Sequence, residues 1–278
     1  MTRPMALRRY KETRFHLIMA LVCLAWSVPV IFTILISVRS FTDIIEHGLG
    51  AAPHSFTLGA YGTAWSGGEA RALLNSVLIT VPTVVLMLLL ASMAAFALSR
   101  YRVPFRRVIL AVMLVGNLLP PQVLLVPVFH MVQAFGIFNH LVAPVVVQVG
   151  FGIGFYTFVL HGFMRDLPDS LTEAAQIDGA GPVTIYRRVI LPLVRPALAG
   201  LAALAATWTF GDFIFAITTL QSSAVFPVTA FLFGFQTQYV TSWNAIAAGA
   251  VIAALPTAAI FLMFQRQLVS GLLLGSTK

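Results

Sequence analysis

An all-α, polytopic membrane protein with six transmembrane helices is the fold class this sequence predicts, and three observations carry it. Of the 278 residues 59% are hydrophobic and only 9% are charged, with a mean hydropathy of +0.93, against about 25% charged in an ordinary soluble domain. The apolar residues gather into six runs near 15–38, 72–98, 108–131, 141–163, 197–220 and 244–264, each with the ~20 residues a helix needs to cross a bilayer. The basic residues alternate with those runs. Arg3, Arg8, Arg9, Lys11 and Arg14 precede the first; Arg100, Arg102, Arg106 and Arg107 follow the second; Arg165, Arg187, Arg188 and Arg195 follow the fourth; Arg266 and Lys278 close the chain. The opposite side holds only Arg39 and Arg71. The positive-inside rule then places both termini and the 164–196 connection in the cytoplasm, and it accounts for the net charge of +8 without a nucleic-acid partner.

In order, 1–14 reads as a cytoplasmic arm and 15–70 as the first span with an extracytoplasmic loop. The first span is too long for a signal peptide, and Arg39 follows it with no small-residue cleavage site. Its single cysteine, Cys23, is expected to serve packing. The loop carries Pro53, Gly59, Gly62, Trp65, Gly67 and Gly68. It reads equally as a surface connection and as part of a platform for an external protein. Residues 71–267 form the membrane core and 268–278 a cytoplasmic tail.

The third run holds Asn117, Pro120, Pro121, Gln122 and Pro127. Adjacent prolines remove two backbone donors and free carbonyls a turn back, so the helix must bend or open there. Asn117 and Gln122 either satisfy those groups or line a solute path. The fourth run has Gly150, Gly152 and Gly154, then Tyr156, another path candidate; small residues at such spacing favour close helix contact. Asp212, the one acid inside a run, is a functional candidate by its cost in lipid and equally a helix cap. The outer connection 221–243 is free of charge and polar, with Gln236, Gln238 and Tyr239.

Between the fourth and fifth runs stands a polar stretch, SLTEAAQIDGAGPVTIYRRVILPLVRP, residues 170–196. Ser170 and Glu173 have capping-box spacing. Leu171, Ala174, Ala175 and Asp178 fall on one side of a two-turn helix, and Gly179 suits a left-handed helix end. Pro182 is placed to start a second helix, and Pro192 and Pro196 are expected to end it. A helix this short is marginal alone, so it rests either on lipid headgroups or on another protein.

Glu173, Ala174, Ala175, Gly179, Val189, Leu191 and Pro192 stand at the spacing of the EAA signature. The stretch therefore resembles the permease subunits of bacterial ABC importers, with Val189 where isoleucine is commoner. NSVLIT at Asn75, AAFALSRYRVPFRR at Arg100, LLPPQVLLVPVF at Pro120 and the terminal QRQLVSGLLLGSTK are similar to the maltose-type, binding-protein-dependent carbohydrate branch. The resemblance covers about 70–278 and implies a type I importer permease in the bacterial cytoplasmic membrane. Its EAA loop, here Glu173, Ala174, Ala175, Asp178, Gly179, Leu191 and Pro192, would be the coupling helix that docks on the ATPase. It further implies a second, non-identical permease, two cytoplasmic ATPase subunits that use ATP and Mg, and an extracytoplasmic solute-binding protein met by Gln236, Gln238 and Tyr239. Phe210 and Gly211 replace the Trp and Asn of the family's W-N-E/D-F stretch.

No phosphate-cradling Gly-x-x-x-x-Gly-Lys-Ser/Thr occurs. Nor does the sequence show a His/Cys set at metal spacing or a catalytic triad pattern, so no cofactor, metal or enzymatic activity is expected in this chain. An ion-coupled secondary transporter using Asp212 is the alternative, but no second buried acid or inverted repeat is visible.

Overall fold

The computed structural model describes residues 5–235 and 241–274, with side chains from 14 to 235 and 241 to 265. Among the described residues all regular structure is helical, apart from an isolated antiparallel bridge between Arg39 and Phe56. Five helical stretches among these residues are long and apolar enough to cross a membrane: Arg14–Ser37, Gly59–Arg100, Val142–Arg165, Pro182–Phe210 and Trp243–Gln265. A sixth candidate is a bent pair, Arg106–Leu118 and Pro121–Ala134, turned through 94°. The expected bend at Pro120 and Pro121 is thus a sharp corner. Leu119 and Pro120 are extended, and Pro121 opens a 3-10 turn, because two missing amides in sequence cannot continue the hydrogen-bond ladder.

Two compact units divide the chain. One comprises 1–68 with 234–252, the other 69–233 with 253–278. The first unit contains α1 (Met5–Ser37), α2 (Phe41–His47), α3 (Gly59–Ala64) and the start of α13 (Trp243–Leu274). From Arg14 onward almost all of α1 is exposed, Cys23 included, so the cysteine does not pack inside this chain as expected. The loop after α1 is an ordered structure built on Arg39, whose side chain is almost wholly buried. Its guanidinium donates to Asp43 Oδ2 at 2.7 Å and to the carbonyls of Leu49 and Ala51 at 3.1 Å. That hydrogen bond and the charge of Arg39 hold the Asp43 carboxyl below its ordinary value, against the desolvation that opposes them. Ser40 caps α2, its hydroxyl accepting from the Asp43 amide at 3.1 Å. Asn244 of α13 donates to the Arg39 carbonyl at 3.3 Å.

The second unit is organised on α4 (Ala70–Arg100) and α7 (Val142–Arg165), which lie against each other along much of their length. α5 (Arg106–Leu118), α6 (Leu125–Ala134), α10 (Leu191–Phe210), α11 (Ile214–Thr219) and α12 (Val228–Phe233) surround them. Glycine permits the closest approach. A Cβ on Gly154 would stand 2.6 Å from the Met113 carbonyl oxygen, and one on Gly152 would strike Met87 Sδ. The fifth run is not one helix, since Gly211–Phe213 separates α10 from α11. Asn75, buried in α4, donates to the carbonyls of Ala224 and Phe226 at 3.0 Å each, while Ser76 Oγ accepts from the Val228 amide at 2.9 Å. The charge-free connection is therefore tied to α4. Asn75→Asp keeps the shape but turns the double donor into an acceptor facing two carbonyls. It should cost about 1–3 kcal/mol, read as a lowered thermal midpoint in detergent and faster proteolysis within 221–227.

Candidate functional site

The polar stretch forms a bent handle on the second unit. α8 (Ser170–Ile177) is followed by Gly179 at φ +79°. The amides of Gly179 and Ala180 bond back to Gln176 and Ala175 at 3.0 and 2.9 Å, closing the helix in the left-handed form that only glycine adopts cheaply. Pro182 opens α9 (Pro182–Ile185), as expected. Two expectations fail here. Ser170 is already helical and the N-cap is Asp169, with no side-chain cap bond, so the Ser170/Glu173 capping box does not form. Asp169 is engaged elsewhere, by Arg100. Pro192 and Pro196 do not end a helix either. The chain passes through a π turn, Tyr186–Ile190, straight into α10, with Pro192 in its first turn where a missing amide is tolerated and Pro196 inside it.

Burial separates a held face from an open one. Ile185, Tyr186 and Ile190 are buried with Phe96, Leu160 and Met164 in the largest apolar cluster, against which Ala175, Val189 and Leu191 pack. The Tyr186 hydroxyl bonds Ser92 Oγ of α4 at 2.8 Å, and its ring lies 5.3 Å from that of Phe96. Arg100, at the end of α4, donates through Nη2 to the Met164 and Leu167 carbonyls at 2.7 and 3.0 Å and through Nη1 to the Asp169 carboxylate. Glu173, Ala174, Asp178 and Gly179 are exposed, whereas Ala175, Leu191 and Pro192 are partly buried. The inward side of α8 is thus Thr172 and Ala175, not the stripe of Leu171, Ala174, Ala175 and Asp178. Sequence reasoning also missed Ile177, 86% exposed, and Val183, 68% exposed. For Ile177 the signal is present: an aliphatic beside Asp178 on a helix too short to bury both faces.

A second site lies in the helix bundle, a cavity of about 410 Å³ walled by α4, α5, α7, α10 and α11. Asn117 and Tyr156 line it, as do Gln148, Trp208 and Thr209, which the sequence reading did not select. Gln148 is a buried amide in an apolar run. Its Oε1 has no hydrogen-bond partner, and its Nε2 donates to Asp212 Oδ2 at 3.3 Å. Asn117 donates to the Met113 carbonyl at 3.2 Å. Gln122 is exposed and does not line the cavity. Asp212 lies in the break after α10 rather than within a helix. Its carboxylate accepts from the Phe215 and Ala216 amides at 3.4 and 3.1 Å, and its carbonyl accepts from Thr229 Oγ1 at 2.7 Å. Gln236, Gln238 and Tyr239 fall outside the described residues.

Residues 87–273 match the family described as binding-protein-dependent transport system inner membrane component. The chain belongs to this family. It is the permease of a binding-protein-dependent ABC importer, a multi-pass inner membrane protein that is not itself the ATPase. The permease is 30% identical over 284 residues to the galactooligosaccharides transport system permease protein GanQ of Bacillus subtilis (strain 168), with 100% of each chain covered. It is 29% identical over 272 residues to the diacetylchitobiose uptake system permease protein NgcG of Streptomyces coelicolor, covering 95% of this chain and 90% of the relative. A chain of a bacterial ABC transporter involved in the import of the acidic polysaccharide alginate superposes with a TM-score of 0.78 at 20% identity, over 96% of this permease and 98% of that chain. That likeness establishes the fold.

Proposed function

We propose that this permease forms part of the translocation path for a sugar or related polyhydroxylated solute, and that α8 is the coupling helix on which a cytoplasmic ATPase subunit docks. The observation that carries the coupling is the division of the handle: Glu173, Ala174, Ile177 and Asp178 stand open while Ala175, Ile185 and Tyr186 are locked to the bundle. A helix of this length does not hold itself together in water, so its shape is set by the inner face and its outer face is left for a partner. Small Ala174 and Gly179 admit close approach, Ile177 and Val183 offer apolar area, and Glu173 and Asp178 call for basic groups opposite.

Solute class rests on the two relatives named for oligosaccharide uptake and on the cavity's chemistry. Trp208 and Tyr156 present aromatic surface, and Asn117, Gln148 and Thr209 present amides and a hydroxyl, the mixture that orients a polyhydroxylated ligand in an otherwise apolar pocket. The assembly would add a second, non-identical permease, two ATPase subunits and an extracytoplasmic binding protein contacting the 236–239 segment. Both termini and α8 would face the cytoplasm. Proteoliposomes holding the whole assembly should take up the sugar carried by its cognate binding protein only with ATP inside. Uptake that persists without the ATPase subunits sinks the reading.

The Asp212 carboxylate is occupied by two amides and Gln148, which argues against ion coupling through it. Asp212→Asn keeps an acceptor toward α11, so ATP-dependent uptake should stay within about twofold of wild type, a change under ~0.5 kcal/mol. Abolished uptake with intact ATPase stimulation would revive the ion-coupled alternative.

A further inference from the structure

The ordered loop of the first unit brings together three side chains that sequence spacing did not connect. Asp43 and His47 stand one turn apart on α2, and His54 reaches them from the segment beyond it. Asp43 Oδ1 lies 3.2 Å from His47 Nδ1 and 3.4 Å from His54 Nδ1, and the three atoms all fall within 4.8 Å of one another. Asp43 is 4% exposed, whereas the histidine side chains are 40% and 57% exposed. No hydrogen bond of good geometry reaches Oδ1. The oxygen is buried, aimed at two imidazole nitrogens, and satisfied by neither.

We propose that Asp43, His47 and His54 form a binding site for a divalent transition-metal cation of the zinc class. A tetrahedral ion with ligands at about 2.0–2.1 Å places neighbouring donor atoms about 3.3–3.4 Å apart, and the two oxygen–nitrogen distances match that edge. His47 Nδ1 also lies 3.3 Å from the Asp43 carbonyl oxygen, a contact that metal at this nitrogen would replace. The outer shell fits as well, since the second oxygen of Asp43 accepts from Arg39 Nε at 2.7 Å, as ligating carboxylates are characteristically held. The imidazole rings stack with centroids 4.0 Å apart. Their exposure leaves both rings free to rotate the few tens of degrees that bring the lone pairs onto one ion. Three protein ligands leave a fourth position for water. Bound metal would cross-link the end of α2 to the 48–58 segment.

The same cluster has a second reading without metal, in which the histidines merely shield Asp43, and the experiment separates the two. The full-length permease, purified without a histidine tag, is titrated with Zn²⁺ by calorimetry and with Co²⁺ by visible absorption. One equivalent should bind, with the intense ligand-field bands of a four-coordinate site. Loss of an outer-shell partner costs 10–100-fold in metal affinity, so removing a ligand in His47→Ala or His54→Ala should weaken binding by at least about 100-fold. Both histidines are exposed and neither change disturbs the Arg39–Asp43 pair, so each variant should elute and melt as wild type does without metal. Zn²⁺ should slow amide exchange across 48–58 in wild type only. Equal affinity in wild type and the double variant overturns the site, as does absence of the Co²⁺ bands. On the orientation proposed above the site faces the extracytoplasmic side, but metal binding is measured independently of that reading.

Discussion

Gly179→Leu is expected to leave the permease folded in the membrane and to strip it of its ATPase. A Cβ at this position meets nothing within 4 Å, so the substitution creates no clash inside the chain. The φ of +79° costs a non-glycine residue about 1–2 kcal/mol, too little to unfold a bundle of this size. What changes is the outer surface. A branched side chain then projects from the turn between α8 and α9, next to the exposed Asp178, and holds a docking backbone away. Copurification of the ATPase subunits should fall below detection and ATP-dependent uptake should drop more than tenfold, about 1.4 kcal/mol or more in coupling. Gly179→Ala should lie between the two. Glu173→Lys, reversing an exposed charge, should weaken assembly in a salt-dependent way. Full uptake by Gly179→Leu with the ATPase retained would falsify the docking assignment.

Arg100→Ala should have a comparable effect on uptake by a different route. The guanidinium is buried and ties the end of α4 to one carbonyl in the last turn of α7 and one just beyond it, as well as to Asp169. Asp169 is 83% exposed, and such ion pairs contribute about 0–1 kcal/mol. The carbonyl bonds matter more: charged hydrogen bonds are worth about 1.5–3 kcal/mol, and the freed acceptors are left poorly satisfied. Asp169→Ala should therefore be nearly silent, while Arg100→Ala should destabilise the junction by about 3 kcal/mol and cut uptake more than tenfold. Arg100→Lys, which cannot fork to both carbonyls, should recover only part. Measuring nucleotide hydrolysis beside uptake distinguishes a displaced handle, in which hydrolysis continues without transport, from failed assembly. Equal effects of Asp169→Ala and Arg100→Ala would show that the surface pair is what matters.

Spans were legible in the sequence because lipid demands length. The run 72–98 sits inside α4 and 141–163 all but coincides with α7, since both are apolar for the thickness a bilayer sets. The left-handed Gly179 and the start at Pro182 were legible for another reason, each residue having one backbone habit. Faces were not legible. Helices apolar all round carry no stripe to say which side meets protein, and α8 is too short for its pattern to resolve Ala175 inward from Ile177 outward. Gln148 pairs with Asp212 across 64 positions, and Arg39 gathers carbonyls from Leu49 and Ala51. Such partners appear only once the chain has closed on itself. The π turn that carries the chain through Pro192 has no sequence signature that distinguishes it from a helix end.

Tyr186 bridges to Ser92 inside the protein, and Arg100 grips the far side of the same junction. The handle is therefore anchored to the long helices at two points, one on each side of α8. On the docking proposed above, a push delivered at Ile177 would reach the long helices through both anchors, as tilt.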